Sequence, residues 1–443
     1  MKKILAVSTD GEATMHGIHT GLQTRIDNFV SSETNRHIIR VWCGLHQLDL
    51  AAQSGYERLC DGDFLGTLRP LIGHLRRQHS LKGRMNTTCP QVAATRWLSM
   101  SKVLNWLTDN YIIIREHLRD NNVECAPSDT WWVIAFTVAV IANHLTFAFI
   151  RLQGKKTILE QQAVGLESLA KDISNVYQIN SMSNLPNETD HESILVSTTS
   201  DMYVDKSNVR SAIRRDLTAL ILFQDMTFDE QNRIIENIGY FGLDLVERIN
   251  NICAKRTTNN EPDTIANFPV LPAQLYNYDA EQFNLLLAQQ RPILEASGWS
   301  FNRVRGISLQ FKRFIDDVNK SPDLKASCSR DNLTTNDDTV TDQDIDSAIM
   351  LEFDASWEFI NGRYNDLQMF CAGLATTFAN TATVESDFSI IGIEKNDQRQ
   401  SLTDFSLSSI LQTKQYEIMH KFSHLTIQDQ VFSLEDNPVD INM

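Results

Sequence analysis

Residues 3–11 read KILAVSTDG and residues 37–46 read HIIRVWCGLH. Each is a short apolar run that closes on turn-forming or polar residues, the pattern of a buried strand. Between them Met15, Ile18, Leu22, Ile26 and Phe29 recur at steps of three and four, which predicts a helix over Ala13–Val30. Strand, helix and strand in that order predict a parallel pair joined by a right-handed crossover. Asp10 then stands at the carboxyl end of the first strand and Cys43 at the mouth of the second, on the edge where α/β sheets bind ligands.

From Leu45 onward the periodicity is helical. After Trp97, three-and-four spacing predicts helices over Leu98–Leu118, Thr130–Leu152, Thr157–Tyr177, Asn208–Phe223, Phe228–Ala254 and Glu281–Leu294, an all-α block. Polar stretches rich in Asn, Asp and Pro interrupt it at Ser181–Asp190 and Thr257–Thr264. A third, Ser321–Asp346, holds SRDNLTTNDDTVTDQDID without an aromatic residue and reads as a disordered acidic linker. Three further helices, Ala348–Ile360, Tyr364–Phe378 and Phe405–Phe422, form a helical end-piece. Its apolar residues, among them Trp357, Ile360, Leu367, Phe370 and Leu374, exceed what three short helices can bury on one another, so the helical stretch before them is expected to cover part and a second copy of the chain the remainder.

The net charge of −16 over 443 residues is local in origin. Residues 331–443 carry 20 acids against 5 bases, which leaves a net charge of only −1 for residues 1–330. The stretch from Arg69 to Arg84 contains Arg69, Arg76, Arg77, Lys82 and Arg84, with His74 and His79, and no acid. An acidic chain with such a segment does not exclude a nucleic-acid partner. The apolar run TWWVIAFTVAVIANHLTFAFI (Thr130–Ile150) has the length of a membrane span, but Asn143 and His144 interrupt it and no basic flank orients it, so it reads as a buried helix. Seven scattered cysteines fit reduced thiols better than a disulfide framework.

Four places can carry chemistry. Asp10 could help hold Mg²⁺, or simply cap the helix that follows. Cys43 and His46 form a C-x-x-H without a second ligand pair at zinc-finger spacing, which favours a Cys and His hydrogen-bonded into the sheet edge. Arg96 and Trp97, in AATRWLSM, could clamp a phosphate and stack a base, or anchor a helix start. Glu385, in TATVESDFSIIG, is unremarkable by spacing alone.

Their order is more informative. Strand-Asp-Gly, then C-x-x-H-x-L-x-L, then T-R-W, then a long helical stretch, then E-S-D-F-S with R-x-x-L downstream, resembles the hAT superfamily of cut-and-paste DNA transposases. The resemblance covers Asp10 to Trp97 and roughly Ala348 to Met419. It implies an α/β plus all-α architecture, in which a partial RNase H-like core carries a large α-helical insertion and a C-terminal dimerisation segment. The implied layout is core over 1–97, insertion over 98–320, acidic linker over 321–346, returning core and dimerisation region over 347–430, and a disordered tail over 431–443.

The same resemblance matches Asp10 and Glu385 to the second and third catalytic carboxylates, which hold Mg²⁺. It matches Arg96 and Trp97 to residues near the transposon-end DNA, and Cys43, His46, Phe388 and Ser389 to structural motif positions. Two-metal strand transfer needs three carboxylates to hold two cations about 4 Å apart. The first carboxylate and the family's zinc finger have no counterpart, so the expectation is a truncated or degenerate copy, nuclear, DNA-associated, homodimeric, without a membrane partner, and not competent for transposition alone. Two rival readings are a domesticated, non-enzymatic interaction protein and an unrelated α-helical scaffold, the latter with no parallel βα core around Asp10 and Glu385.

Overall fold

The computed structural model describes residues 5–377 except 11–12, 18, 35–36, 86, 93–98, 154–157, 187–189, 255–268, 330–352, 359 and 361, together with positions 403, 406, 409, 410 and 413. The elements below all belong to the unit Met1–Asn380. The protein is largely helical, with a few small strands.

β1 (Ala6–Thr9) and β2 (Ile39–Trp42) pair in parallel, in the register Ala6↔Ile39 to Thr9↔Trp42. The strand-helix-strand opening predicted by apolar spacing is therefore present. The connection holds two helices, α1 (Ala13–His16) and α2 (Leu22–Thr34), where one was expected. The break falls at two glycines: the Gly21 N–H donates to the Gly17 carbonyl at 2.9 Å, and a Cβ on Gly21 would lie 2.4 Å from the Gly17 nitrogen. Glycine permits that approach and weakens a helix, so the periodicity runs on where the helix does not.

The next elements are α3 (Gly44–Arg58), α4 (Phe64–Arg77), α5 (His79–Met85), α6 (Ser99–Asp109), α7 (Tyr111–Asp120), α8 (Asp129–Leu152) and α9 (Leu159–Tyr177). Beyond a small sheet follow α10 (Lys206–Ile213), α11 (Leu217–Gln224) and α12 (Phe228–Ala254). Together they build a first hydrophobic core around α8, which packs on α6, α9, α11 and α12. By length and composition α8 could cross a membrane, but 67% of its apolar window is buried inside the protein, so its neighbours cover that surface. The Ser128 hydroxyl starts it, accepting from the Trp131 N–H at 3.2 Å. A capping box starts α12: Glu230 accepts from the Thr227 N–H at 2.9 Å, and the Thr227 hydroxyl accepts from the Glu230 N–H at 3.3 Å.

Two of the expected long helices are each two. α6 and α7 divide at Asn110, whose side-chain amide donates to the Trp106 carbonyl at 2.8 Å and competes with the helix ladder. α10 and α11 divide at Asp216, whose carboxylate caps α11 by accepting from the Ala219 N–H at 2.8 Å. Nor is the middle of the chain all helix. β3 (Asn180–Ser181), β4 (Ile194–Val196) and β5 (Met202–Asp205) form an antiparallel sheet in the order β3-β5-β4. Its apolar runs, Ile194-Leu195-Val196 and Met202-Tyr203-Val204, are too short to show a period, and a polar STTSD turn links them.

A second core lies after residue 269. It comprises α13 (Pro272–Tyr276), α14 (Ala280–Ala296), α15 (Phe301–Lys320), α16 (Pro322–Ser329), α17 (Phe353–Glu358) and α18 (Asn365–Ala375). Phe283 and Phe311 stack at 4.0 Å, and the Trp357 indole donates to the Val270 carbonyl at 3.0 Å. Ile39 and Val41 of β2 belong to this core, so the chain returns from the helical block to pack on its first strands. α3 to α5 share the first core with residues beyond 98, and α13 to α15 share the second with α17 and α18.

One correction follows for the C-terminal third. The expected linker begins as a helix, α16, because Ser321 caps it, Pro322 occupies its first position and buried Cys328 anchors it; residues 330–346 lie outside the described residues. Trp357, Ile360, Leu367, Phe370 and Leu374 are at most 3% exposed and share one core with α13 to α15, the part of this apolar surface that the helical insertion was expected to cover.

Glycines set the closeness of α12 to its neighbours. A Cβ on Gly242 would lie 2.6 Å from the Tyr177 ring, whereas one on Gly73 of α4 meets nothing within 4 Å. Gly242→Ala is expected to lower stability by about 1–3 kcal/mol through overpacking, and Gly73→Ala to raise it by about 0.5–1 kcal/mol. Urea denaturation of the two variants checks the opposite signs.

Candidate functional site

The parallel register brings the two strand ends together. Thr9 faces Trp42, the Cys43 N–H donates to the Thr9 carbonyl at 2.8 Å, and the Trp42 indole N–H donates to the Asp10 carbonyl at 2.9 Å. Asp10 is half-buried at this edge. Cys43 is fully buried, precedes the first turn of α3 and packs into the first core, while His46 is half-buried within that turn. The C-x-x-H is thus a junction between strand and helix.

Glu385, Phe388, Ser389, Arg96 and Trp97 lie outside the described residues, as does the side chain of Lys82. Of the two carboxylates that the resemblance assigns to Mg²⁺, only Asp10 is described. No three His, Cys, Asp or Glu side chains gather into a metal-sized group among the described residues, so these residues do not by themselves form a two-metal site.

The edge owes its geometry to two polar side chains of α2 that spacing did not single out. Gln23 is fully buried, and its amide donates to the carbonyls of Val7 in β1 at 2.9 Å and Val41 in β2 at 3.2 Å. Asp27 accepts from the Ile38 N–H at 2.8 Å and from the Arg40 guanidinium at 2.8 Å, with the His37 imidazole 3.1 Å away. Burial alone would raise the Asp27 pKa, but the Ile38, Arg40 and His37 contacts together hold it below the ordinary carboxylate value. The spacing pointed to the wrong face of α2: Leu22 and Phe29 are exposed, and the buried face, one step round the helix, carries Gln23, Asp27 and Val30.

The basic stretch forms α4 and α5. Phe64, Leu65, Leu68, Leu71, Ile72 and Leu75 bury one face of α4, leaving Arg69, Arg76 and Arg77 exposed on the other. Arg84 of α5 is bonded to Glu116 of α7 at 3.1 Å. A groove of about 650 Å³ runs beside α4, lined by Thr67, Pro70, His74 and Arg77 and, opposite them, by Glu124 and Cys125.

Compared with known proteins, the chain matches no family model and no curated relative.

Because Asp27 titrates lower in the folded than in the unfolded chain, its contribution is complete above the unfolded pKa of about 3.9 and is lost as pH falls through the folded value. Asp27→Asn is expected to cost about 1.5–3 kcal/mol at neutral pH, with the difference from the parent protein shrinking below about pH 4. Denaturant titrations at the two pH values measure it.

Proposed function

We propose that this is a DNA-associated protein of transposase descent that holds duplex DNA through the outer face of α4. The observation that carries the reading is the pairing state of its arginines. Arg69, Arg76 and Arg77 are exposed and have no ion pair among the described residues, whereas Arg84 is engaged by Glu116. Arg69 and Arg76 lie two turns apart on one face, about 10 Å along the axis, a span over which duplex DNA presents several phosphates. Exposed guanidiniums on a helix whose other face is core suit sequence-tolerant contact with the backbone.

The descent is supported by the parallel β1–β2 pair, which places Asp10 at a strand end, and by the packing of α13 to α18 in one core with Ile39 and Val41 of β2. The unrelated-scaffold reading expects no parallel βα core around Asp10 and Glu385, and Glu385 lies outside the described residues. By resemblance, Glu385 would join Asp10 in holding Mg²⁺, Arg96 and Trp97 would add DNA contacts, and a second copy would assemble through the C-terminal region in a nuclear setting. The five apolar side chains named above are already covered within the monomer, so a dimer would rest on others.

The test is a salt series with a short duplex of arbitrary sequence. Affinity should fall linearly on a log–log plot, and replacing Arg69, Arg76 and Arg77 together by Ala should reduce the slope by about 0.9 for each phosphate that is no longer neutralised. An unchanged slope and affinity in the triple variant would return α4 to the status of a solvated helix face.

A further inference from the structure

α4 and α7 bring together two histidines 43 residues apart in the chain, with their Nε2 atoms 3.3 Å and their ring centroids 5.5 Å apart. The Asn121 amide nitrogen lies 3.2 Å from His117 Nδ1 and donates to the His117 carbonyl at 2.8 Å. An amide nitrogen only donates, so His117 Nδ1 accepts and the proton of the neutral ring resides on Nε2. That N–H is directed at His74 Nε2. The pair accommodates one hydrogen between its facing nitrogens; a second would oppose two N–H groups across 3.3 Å.

His74 also lines the groove beside α4. Arg77 on its own helix bears on it, as does His117 on α7. Asp63, at the start of α4, and Glu124 and Cys125, in the loop after α7, line the same groove. Glu116 of α7 is held by Arg84 of α5, and His79 of α5 is exposed. Burial first, then His117 and Arg77, lowers the His74 pKa below the ordinary imidazole value, so the free protein favours neutral His74.

We propose that the His74–His117 pair makes polyanion binding on α4 proton-linked: a phosphate drawn into the groove by Arg77 favours protonated His74, which releases His117 and turns to the phosphate as a further cationic contact. This rests on the DNA reading of α4. The phosphate offsets the repulsion from Arg77 and accepts the new N–H, so DNA binding takes up a proton and tightens as pH falls.

The test measures the affinity of a fluorescent duplex of about 20 base pairs by anisotropy at about pH 7.5 and about pH 5.5, at fixed ionic strength. One full proton taken up gives about tenfold per pH unit, so the parent protein should gain at least about threefold more affinity over the interval than His74→Gln. His117→Asn frees His74 from its partner and should tighten binding at about pH 7.5, a gain that a merely structural role for the pair would not produce. Equal pH responses in the parent protein and His74→Gln, with no gain in His117→Asn, would overturn the proton link. The DNA reading would survive that result if the triple arginine variant still binds more weakly, whereas a parent protein that binds no duplex at either pH removes both.

Discussion

The buried amide of Gln23 is the contact on which the opening of this fold depends. β1 and β2 share only four residue pairs, and a two-stranded sheet of that length is marginal by itself. Gln23 donates to one carbonyl of each strand, and Asp27, a turn later on α2, takes the N–H of Ile38 just ahead of β2. Leaving any of these buried groups unpaired would cost about 1–3 kcal/mol. Helix and strands are thus joined by polar contacts that allow only one register, and this register brings Asp10 and Cys43 to the same edge.

That register also distributes the chain between two cores. Ile39 and Val41 point into the core formed with α13 to α18, whereas Cys43, two residues later, already belongs to the core around α8. β2 and α3 therefore act as a short rigid strut, and slipping β2 by one residue would exchange its buried and exposed faces. The helical block is one packed body with α3 to α5 as well as the segments that follow. The contact of Tyr56 with Phe241, rings 5.5 Å apart, and the ion pair of Arg58 with Asp244 at 2.7 Å close it across 185 and 186 positions of sequence.

How much of this was legible in the sequence follows from what produces a period. α12 shows regular apolar spacing, α8 is apolar almost throughout, and β1 and β2 lie in seven-residue runs, Lys3–Thr9 and His37–Cys43, that close on turn or polar residues, so the sequence announces all four. The breaks at Gly17 and Gly21, at Asn110 and at Asp216 escape such a reading, because apolar spacing runs through a kink while the decisive bonds are made by single side chains or by a bare Cα. β4 and β5 escape it because three or four residues establish no period. The sharing of one core by α3 to α5 and the later helices carries no local signal, because a core forms wherever apolar faces meet, and those meetings are long-range. The candidate edge was legible as far as Asp10 and Cys43; its supports, Gln23 and Asp27, were not, since each is a lone polar residue whose partners lie 10 to 18 positions away.

The same distinction separates a basic segment from a basic surface. Counting charges gives Arg69, Arg76, Arg77 and Arg84 equal weight, yet a guanidinium already bonded to a carboxylate must give up that bond before it can hold a phosphate. Glu116 removes Arg84 from the set, and the fold turns Arg69, Arg76 and Arg77 outward because Leu68, Leu71, Ile72 and Leu75 are required inside. The histidine between them is drawn the other way, against His117. An amphipathic helix whose three arginines have no ion pair among the described residues, and whose histidine is held neutral, would gain charge on binding an anion under the reading proposed above. Its affinity then depends on the groups immediately around α4 rather than on the sign of the net charge, since exposed charges beyond about 8 Å are largely screened at physiological salt.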